Sequence, residues 1–363
     1  SVQALGNTGQ GSSYNYAFPR LSNQFFDCTF IANERHVIYN AEFRKAGSPW
    51  QRGDNFSTSQ GKNLKWKSPR DKRYRGWTRR AIDDDPVAGR SHNNRLARYW
   101  LYLLGHPSNE NEFVRIVINN GPAMIREDVE TNANDFLKRN WEQGEKGELY
   151  RIDDEWWFDD GWGRAQENAD WGVDGRSVEP NMYHAEWMKR SREDEYDYGS
   201  FINWVFSVGQ NRFTREELER MADIDMMAAN AVVRGWIDDW DTLTRNRGKN
   251  GYFLRRYSDG KWILLQWDSD LTFGNTSAPF IGGLPGVRNF FYKPYVEQRV
   301  NYYIGEMVEK YTKDSERLET WFDLETRSNR RVSINPSRYH NFNNGRVSYA
   351  MNTEIGSAVS NAP

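Results

Sequence analysis

Apolar positions recur along the chain with two periods, one of two residues and one of three to four, and these divide it into strand-like and helix-like stretches. From Gln24 to about Ala46 the alternation is strand-like, as in Phe26-Asp27-Cys28-Thr29-Phe30 and Val37-Ile38-Tyr39. Lys62 to Lys67 alternates charge and bulk as a half-exposed strand does. A helix is predicted from Asn93 to Leu104, stopped by Gly105 with Pro107 just beyond. Glu112–Ile118 and Ala123–Val129 flank Asn119-Asn120-Gly121 as a hairpin, and a helix is expected over 133–140. Thr214 and Glu217 stand at capping-box spacing. Beyond them Leu218, Met221, Ile224, Ala228, Val232 and Trp236 return every three or four residues, predicting one helix with a buried stripe. Tyr252–Tyr257 and Trp262–Trp267 enclose Ser258-Asp259-Gly260, a second hairpin, and 293 to about 323 reads as helical. The Gly-, Ser- and Asn-rich residues 1–23 form a lead-in, 47–61 a polar loop, and about 150–212 an irregular Trp- and Asp-rich insertion. Strands and helices mix without strict βαβ alternation, so the fold class is α+β.

Composition narrows the picture. Lys plus Arg number 49 and Asp plus Glu 51, so a globally basic nucleic-acid binder is excluded and no nucleic-acid partner is expected. The 16 Trp, 19 Tyr and 19 Phe supply the core volume that a hydrophobic fraction of only 37% would otherwise lack. Cys28 is the single cysteine, which rules out an intrachain disulfide and reads as a buried thiol. No run reaches the roughly 18 apolar residues of a membrane span. The residues after Ser1 do not show the basic-then-apolar pattern of a secretory leader.

Several chemistries fall away on spacing. His36, His92, His106, His184 and His340 are scattered, against a zinc site. No Gly-x-Ser-x-Gly elbow and no Walker-type phosphate loop occur. The informative stretch runs from Trp240-Asp241-Thr242 to Asn246, and then to Trp267-Asp268-Ser269-Asp270-Leu271-Thr272-Phe273-Gly274. Asp241 ends the striped helix with its carboxylate expected to point outward, and Trp240 continues the stripe. Asn246 follows at the Asp-x4-Asn spacing that kinase catalytic loops use for a hydroxyl-orienting Asp and a metal-binding Asn. Asp268 and Asp270, two apart at a strand end, face the same way and suit Mg²⁺ held against phosphate oxygens. Against this stands the plain alternative that these acids cap helices and turns.

The run Gly251-Tyr252-Phe253-Leu254-Arg255 through Gly260-Lys261-Trp262 to Trp267-Asp268-Ser269-Asp270-Leu271-Thr272-Phe273-Gly274 resembles the signature of the CotH family, atypical secreted kinases of the spore-coat type. Upstream, Arg44-Lys45-Ala46-Gly47-Ser48, Lys62-Asn63-Leu64-Lys65, Val117 through Val129 and Leu149-Tyr150-Arg151 resemble further family motifs in order. The sequence departs from the pattern at Pro122–Arg126, where the family has Gly-Tyr-Tyr, and at Gln266, where it has Pro. The segment from Asp241 to Gly251 is longer than typical, so the metal-side Asn is Asn246 or Asn250.

The resemblance implies a two-lobed atypical protein-kinase-like fold, with an antiparallel-sheet N-lobe over 24–130 and a mainly helical C-lobe over 131–363. The helix at 93–104 is expected on the N-lobe sheet. It implies ATP and Mg²⁺ (or Mn²⁺) as cofactors and phosphoryl transfer to Ser or Thr of a surface or coat protein, in an extracellular or coat-associated setting. Asp241 then orients the substrate hydroxyl, and Asp270, Asp268 and Asn246 face the metal. Lys62, Lys65 or Lys67 contacts phosphate, with Lys62 favoured by the motif, and Glu127 lies near the hinge. Two rivals remain: a kinase-fold module of a coat assembly without activity, and a carbohydrate-binding or glycoside-active protein using Trp156, Trp157, Trp162 and Trp171 with flanking acids.

Overall fold

The computed structural model describes residues 25–46, 63–83, 92–141, 147–152, 169, 171, 183, 187–191, 197–328 and 332–354. In chain order the strands are β1 (Phe26–Ala32), β2 (His36–Ala46), β3 (Asn63–Lys67), β4 (Arg79–Asp83), β5 (Asn111–Ile116), β6 (Met124–Glu130), β7 (Glu148–Ile152), β8 (Trp187–Lys189), β9 (Gly251–Arg255) and β10 (Trp262–Gln266). The helices are α1 (Asn93–Leu103), α2 (Asn134–Asn140), α3 (Gly199–Gly209), α4 (Arg215–Met221) and α5 (Ile224–Trp236). They continue with α6 (Pro285–Phe291), α7 (Pro294–Lys313), α8 (Ser315–Ser328) and α9 (Pro336–Tyr349). The mixture is α+β, and every strand pairing in its two sheets is antiparallel.

The chain folds as two compact units whose residues interleave: 1–88, 109–144 and 155–167 in the first, 89–108, 145–154 and 168–363 in the second. The first unit is a six-stranded sheet in the order β1-β2-β3-β4-β6-β5. Alternation does the sorting in β3, where Leu64 and Trp66 are buried while Lys65 and Lys67 share the opposite, half-exposed face. Leu64, Trp66 and Ile82 form a small core with Phe30, whose ring stacks on Trp66 at 4.6 Å. Asn119 and Asn120 take left-handed φ of 48° and 57°, which Asn tolerates, so the β5–β6 hairpin turns where its Asn-Asn-Gly run predicts. Cys28, expected in the core, lies half-buried on the edge strand β1.

The second unit holds a four-stranded sheet in the order β10-β9-β7-β8, with β9 and β10 paired Trp262 to Arg255 through Gln266 to Gly251. Its core is aromatic. Trp171 is fully buried and stacks on Phe253 at 5.2 Å, and Tyr150 stacks on Phe201 at 4.1 Å. A tryptophan that fills a core has no face for a sugar ring, so Trp171 leaves the carbohydrate reading; Trp156, Trp157 and Trp162 lie outside the described residues. The stretch read as irregular contributes β8 and α3 to this unit.

Three expectations are corrected. The striped segment is two helices, because Asp223 breaks it. Its side chain accepts from the Met226 N–H at 3.0 Å as an N-cap, its own N–H donates to the Trp262 carbonyl at 3.0 Å, and Arg256 pairs with its carboxylate at 2.9 Å. Trp240 does not extend the stripe: α5 stops at Trp236, and Trp240 is 49% exposed. Helix α1, expected on the N-terminal sheet, belongs to the second unit and packs on α5.

Candidate active site

The segment after α5 is built around one buried arginine. Arg234, in the last turn of α5, is 1% exposed and donates through Nε to Asp239 Oδ2 at 2.8 Å. Its Nη2 reaches the Trp267 and Asp268 carbonyls at 3.2 and 3.1 Å, and its Nη1 donates to the Asn250 carbonyl. One planar guanidinium therefore ties together the end of α5, the loop before β9 and the segment after β10, with charge-assisted bonds that burial strengthens. Next to it Gly235 meets the Phe280 carbonyl so closely that a Cβ would lie 2.1 Å from the oxygen, so only glycine fits.

The chain then turns through Asp238, at φ 52°. Its carboxylate accepts from Arg245 Nη2 at 3.2 Å and from the Asn275 N–H at 2.6 Å. Asp239 also accepts from the Ser269 hydroxyl at 2.9 Å, and burial pushes its carboxyl above the ordinary range despite Arg234. Asp241 lies five residues past the helix rather than at its end. Its carboxylate does not point outward, being 5% exposed. Oδ2 faces Lys249 Nζ at 3.0 Å and accepts from Asn250 Nδ2 at 3.2 Å. Oδ1 has Arg247 Nη1 at 3.6 Å and accepts no hydrogen bond among the described residues.

Asp268 leaves β10 at φ 51° and keeps an opening to solvent. Loss of surrounding water, then the Asp270 carboxylate, push its carboxyl up to about 8. Lys249 opposes the shift, and Asp241 and Asp239 add to it. Asp241, Lys249 and Asp270 thus all act electrostatically on Asp268.

The other expected residues are distributed differently. Asn246 is exposed, whereas Asn250 is buried, at φ 55°, with its amide on Asp241. Lys65, Lys67 and Glu127 sit in the first unit, and Lys62 lies outside the described residues. Lys67 pairs with Glu42 and stands 4.4 Å over the Phe25 ring, and partial burial lowers its ammonium below the ordinary range. Glu127, fully buried on β6, accepts from Asn111 Nδ2. Arg234 and Lys249 were not singled out from the sequence. The signal for Arg234 was there, a guanidinium in the apolar last turns of a buried helix, where a charge persists only if it is paired.

Among the described residues no group of three or more His, Cys, Asp or Glu is arranged to hold a metal. This does not conflict with Mg²⁺ or Mn²⁺, because Mg²⁺ usually takes one or two carboxylates and completes its shell with waters and substrate phosphates. Two hard oxygen donors at Asp268 and Asp270, beside an Asp241 oxygen that accepts no hydrogen bond, fit a cation of that kind.

The family model for CotH kinase proteins matches residues 52–316. The chain belongs to the CotH kinase family. No curated protein matches it significantly. Within this CotH chain the matched region spans the whole Asp239–Asp270 cluster and stops in the first turn of α8, so α9 lies beyond it. Family membership points to a kinase-like role.

Proposed function

We propose that this CotH protein is a two-lobed, ATP-dependent atypical kinase that phosphorylates Ser or Thr of a surface or coat protein. The observation that supports this best is Asp241. It is buried, clasped through Oδ2 by Lys249 at 3.0 Å and Asn250 at 3.2 Å, with Oδ1 accepting no hydrogen bond, in one neighbourhood with Asp268 and Asp270.

In this reading Asp241 Oδ1 accepts the hydrogen bond of the acceptor hydroxyl, orients its lone pair toward the γ-phosphorus and takes the proton. The bond from the substrate oxygen to Pγ forms as the bond from Pγ to the β,γ-bridging oxygen breaks, and ADP departs. Asp268 and Asp270, with Asn250 in preference to Asn246 on the Asp241 side, would hold the divalent cation. When bound, that ion neutralises phosphate oxygens as negative charge shifts to the leaving group. Lys249, 3.0 Å from Oδ2, holds the Asp241 carboxylate in place. The nucleotide-contacting role of Lys62, Lys65, Lys67 and Glu127 belongs to this proposal as well.

The test is transfer of labelled γ-phosphate from ATP, with Mg²⁺ or Mn²⁺, to a protein acceptor or to the chain itself. Asp241→Asn keeps shape and removes charge, so transfer falls by orders of magnitude while nucleotide binding persists. Equal transfer in that variant moves the base elsewhere. No transfer and no metal-dependent heat with ATP in the unmutated chain leaves the inactive coat module as the better reading.

A further inference from the structure

Segment 268–273 carries a backbone that does not hold itself. Asp268 and Phe273, at its two ends, are both left-handed, with φ of 51° and 59°. Asp visits that region readily, but for a bulky residue such as phenylalanine it is an outlier that persists only where the surroundings over-determine it. Within the segment the Thr272 hydroxyl donates to the Ser269 carbonyl at 2.9 Å. The rest of its support comes from elsewhere in the second unit.

Much of that support comes from two asparagines at the start of α1. Both are fully buried, and the helix has no side-chain N-cap. Asn93 Nδ2 donates to the Asp270 carbonyl at 2.9 Å and to the Thr272 carbonyl at 3.3 Å. Asn94 Oδ1 accepts from the Ser269 N–H at 2.5 Å. Asn93 is itself fixed from α9: its Oδ1 accepts from the Tyr339 hydroxyl at 3.1 Å and from Arg338 Nη1 at 3.4 Å. With two donors and two acceptor bonds in use, its amide has one orientation. The Tyr339 ring also packs edge-on against Phe273, 5.0 Å between centroids, beside Phe342 at 5.1 Å.

We infer that Asn93 and Asn94 are positioning residues for the Asp268 and Asp270 carboxylates, and that α9 sets them through Tyr339, so that a helix outside the family-matched region tunes the affinity of this site for a divalent cation. The inference rests on reading Asp268 and Asp270 as the cation-holding pair. Its physical basis is that a carboxylate binds a metal well only when its backbone is already where the ligand set needs it, and outer partners supply that order. The polypeptide is the intermediary: the asparagines touch the main chain on either side of Asp270 and reach no reacting atom.

The experiment measures Mn²⁺ binding to the full chain by electron paramagnetic resonance, without nucleotide or turnover, together with hydrogen–deuterium exchange. Asn93→Ala is expected to weaken Mn²⁺ about tenfold or more, the range typical of lost outer-shell partners. It should accelerate exchange over 268–274 while β9 and β10 stay protected. Tyr339→Phe, which keeps the ring on Phe273 and removes only the hydroxyl that orients Asn93, gives the same pattern at roughly threefold. It also keeps the test open if Asn93→Ala fails to fold. Wild-type Mn²⁺ affinity in both variants, or faster exchange spread evenly over β9 and β10, overturns the inference. If the unmutated chain takes no Mn²⁺ alone, the titration is repeated with ATP present; no Mn²⁺ uptake there either overturns the inference, whereas the kinase reading is judged separately by phosphoryl transfer.

Discussion

Replacing Arg234 by methionine keeps the length and most of the volume of a side chain that is 1% exposed, and removes its charge and all its donors. What is left behind is the cost. Asp239, itself 1% exposed, loses the Nε bond at 2.8 Å and keeps the Ser269 hydroxyl. The Asn250, Trp267 and Asp268 carbonyls lose the donor that draws them together. Breaking a buried pair from one side typically destabilises by about 3–5 kcal/mol. With roughly 2–4 °C per kcal/mol for a unit of this size, the melting temperature should fall by about 6–20 °C. Asp239 has an escape, since burial already favours its protonated form. In the variant its carboxyl is raised further, so the folded state holds a proton that the unfolded chain has released, and stability drops as pH rises. The deficit should therefore be larger at pH 8 than at pH 5. Arg234→Met with Asp239→Asn removes the stranded charge and should be more stable than Arg234→Met alone by about 1–3 kcal/mol. Guanidinium unfolding followed by tryptophan fluorescence measures all three. A deficit under about 1 kcal/mol in the single variant, or strict additivity in the pair, would refute the view that this guanidinium holds the site together.

Asp270→Asn should abolish metal-dependent phosphoryl transfer with a melting temperature near wild type; lost stability with transfer retained would make Asp270 structural. For the metal-free chain, Asp268 is raised to about 8 from an ordinary 3.8, so the folded state binds the extra proton between those values. Its contribution to stability is fully present below pH 4 and is lost as pH rises toward 8, at up to about 1.4 kcal/mol per pH unit. His106, held neutral by burial, contributes the opposite slope below about 6.5 and none above it. Denaturation of wild type and Asp268→Asn from pH 6.5 to 8.5 isolates the effect, and parallel curves would sink it.

How far the sequence carried this depended on whether the cause was local. The Thr214–Glu217 capping box forms both reciprocal bonds because four adjacent residues decide it. The β9–β10 hairpin likewise follows from alternation and a short turn. Where a partner far along the chain decides, period alone misleads. Asp223 breaks an apparently continuous stripe because the Trp262 carbonyl and Arg256 reach it from β10 and the β9–β10 turn. β7 is central to the second sheet through its pairing with β9, about a hundred residues later in the chain, which no window around Leu149 contains. The same holds at the site. Asp241, Asp268 and Asp270 were legible as acids at kinase-like spacing, while the loop closure that brings the Asn250 amide back to Asp241 was not. Nothing in the pair Asn93-Asn94 distinguishes it from a polar helix start. Its role exists only across the 177 residues that separate Asn93 from Asp270.

The charges of this segment close on an imbalance, and the imbalance has a location. Asp238 is answered by Arg245 at 3.2 Å, Asp239 by Arg234 at 2.6 Å, and Asp241 by Lys249 at 3.0 Å with Arg247 at 3.6 Å. Lys249, which acts on Asp268, is the same ammonium that already serves Asp241. With Asp270, Asp241 and Asp239 all acting against it, negative charge is concentrated around Asp268. A partly buried excess of that kind is relieved by a proton or by a cation. The raised Asp268 carboxyl is the first solution; under the proposed function a divalent ion is the second and would compete for the same oxygens. Arg234 and Asn93 are what make the competition possible, because they hold the carboxylates near one another against a repulsion that a free loop would relax.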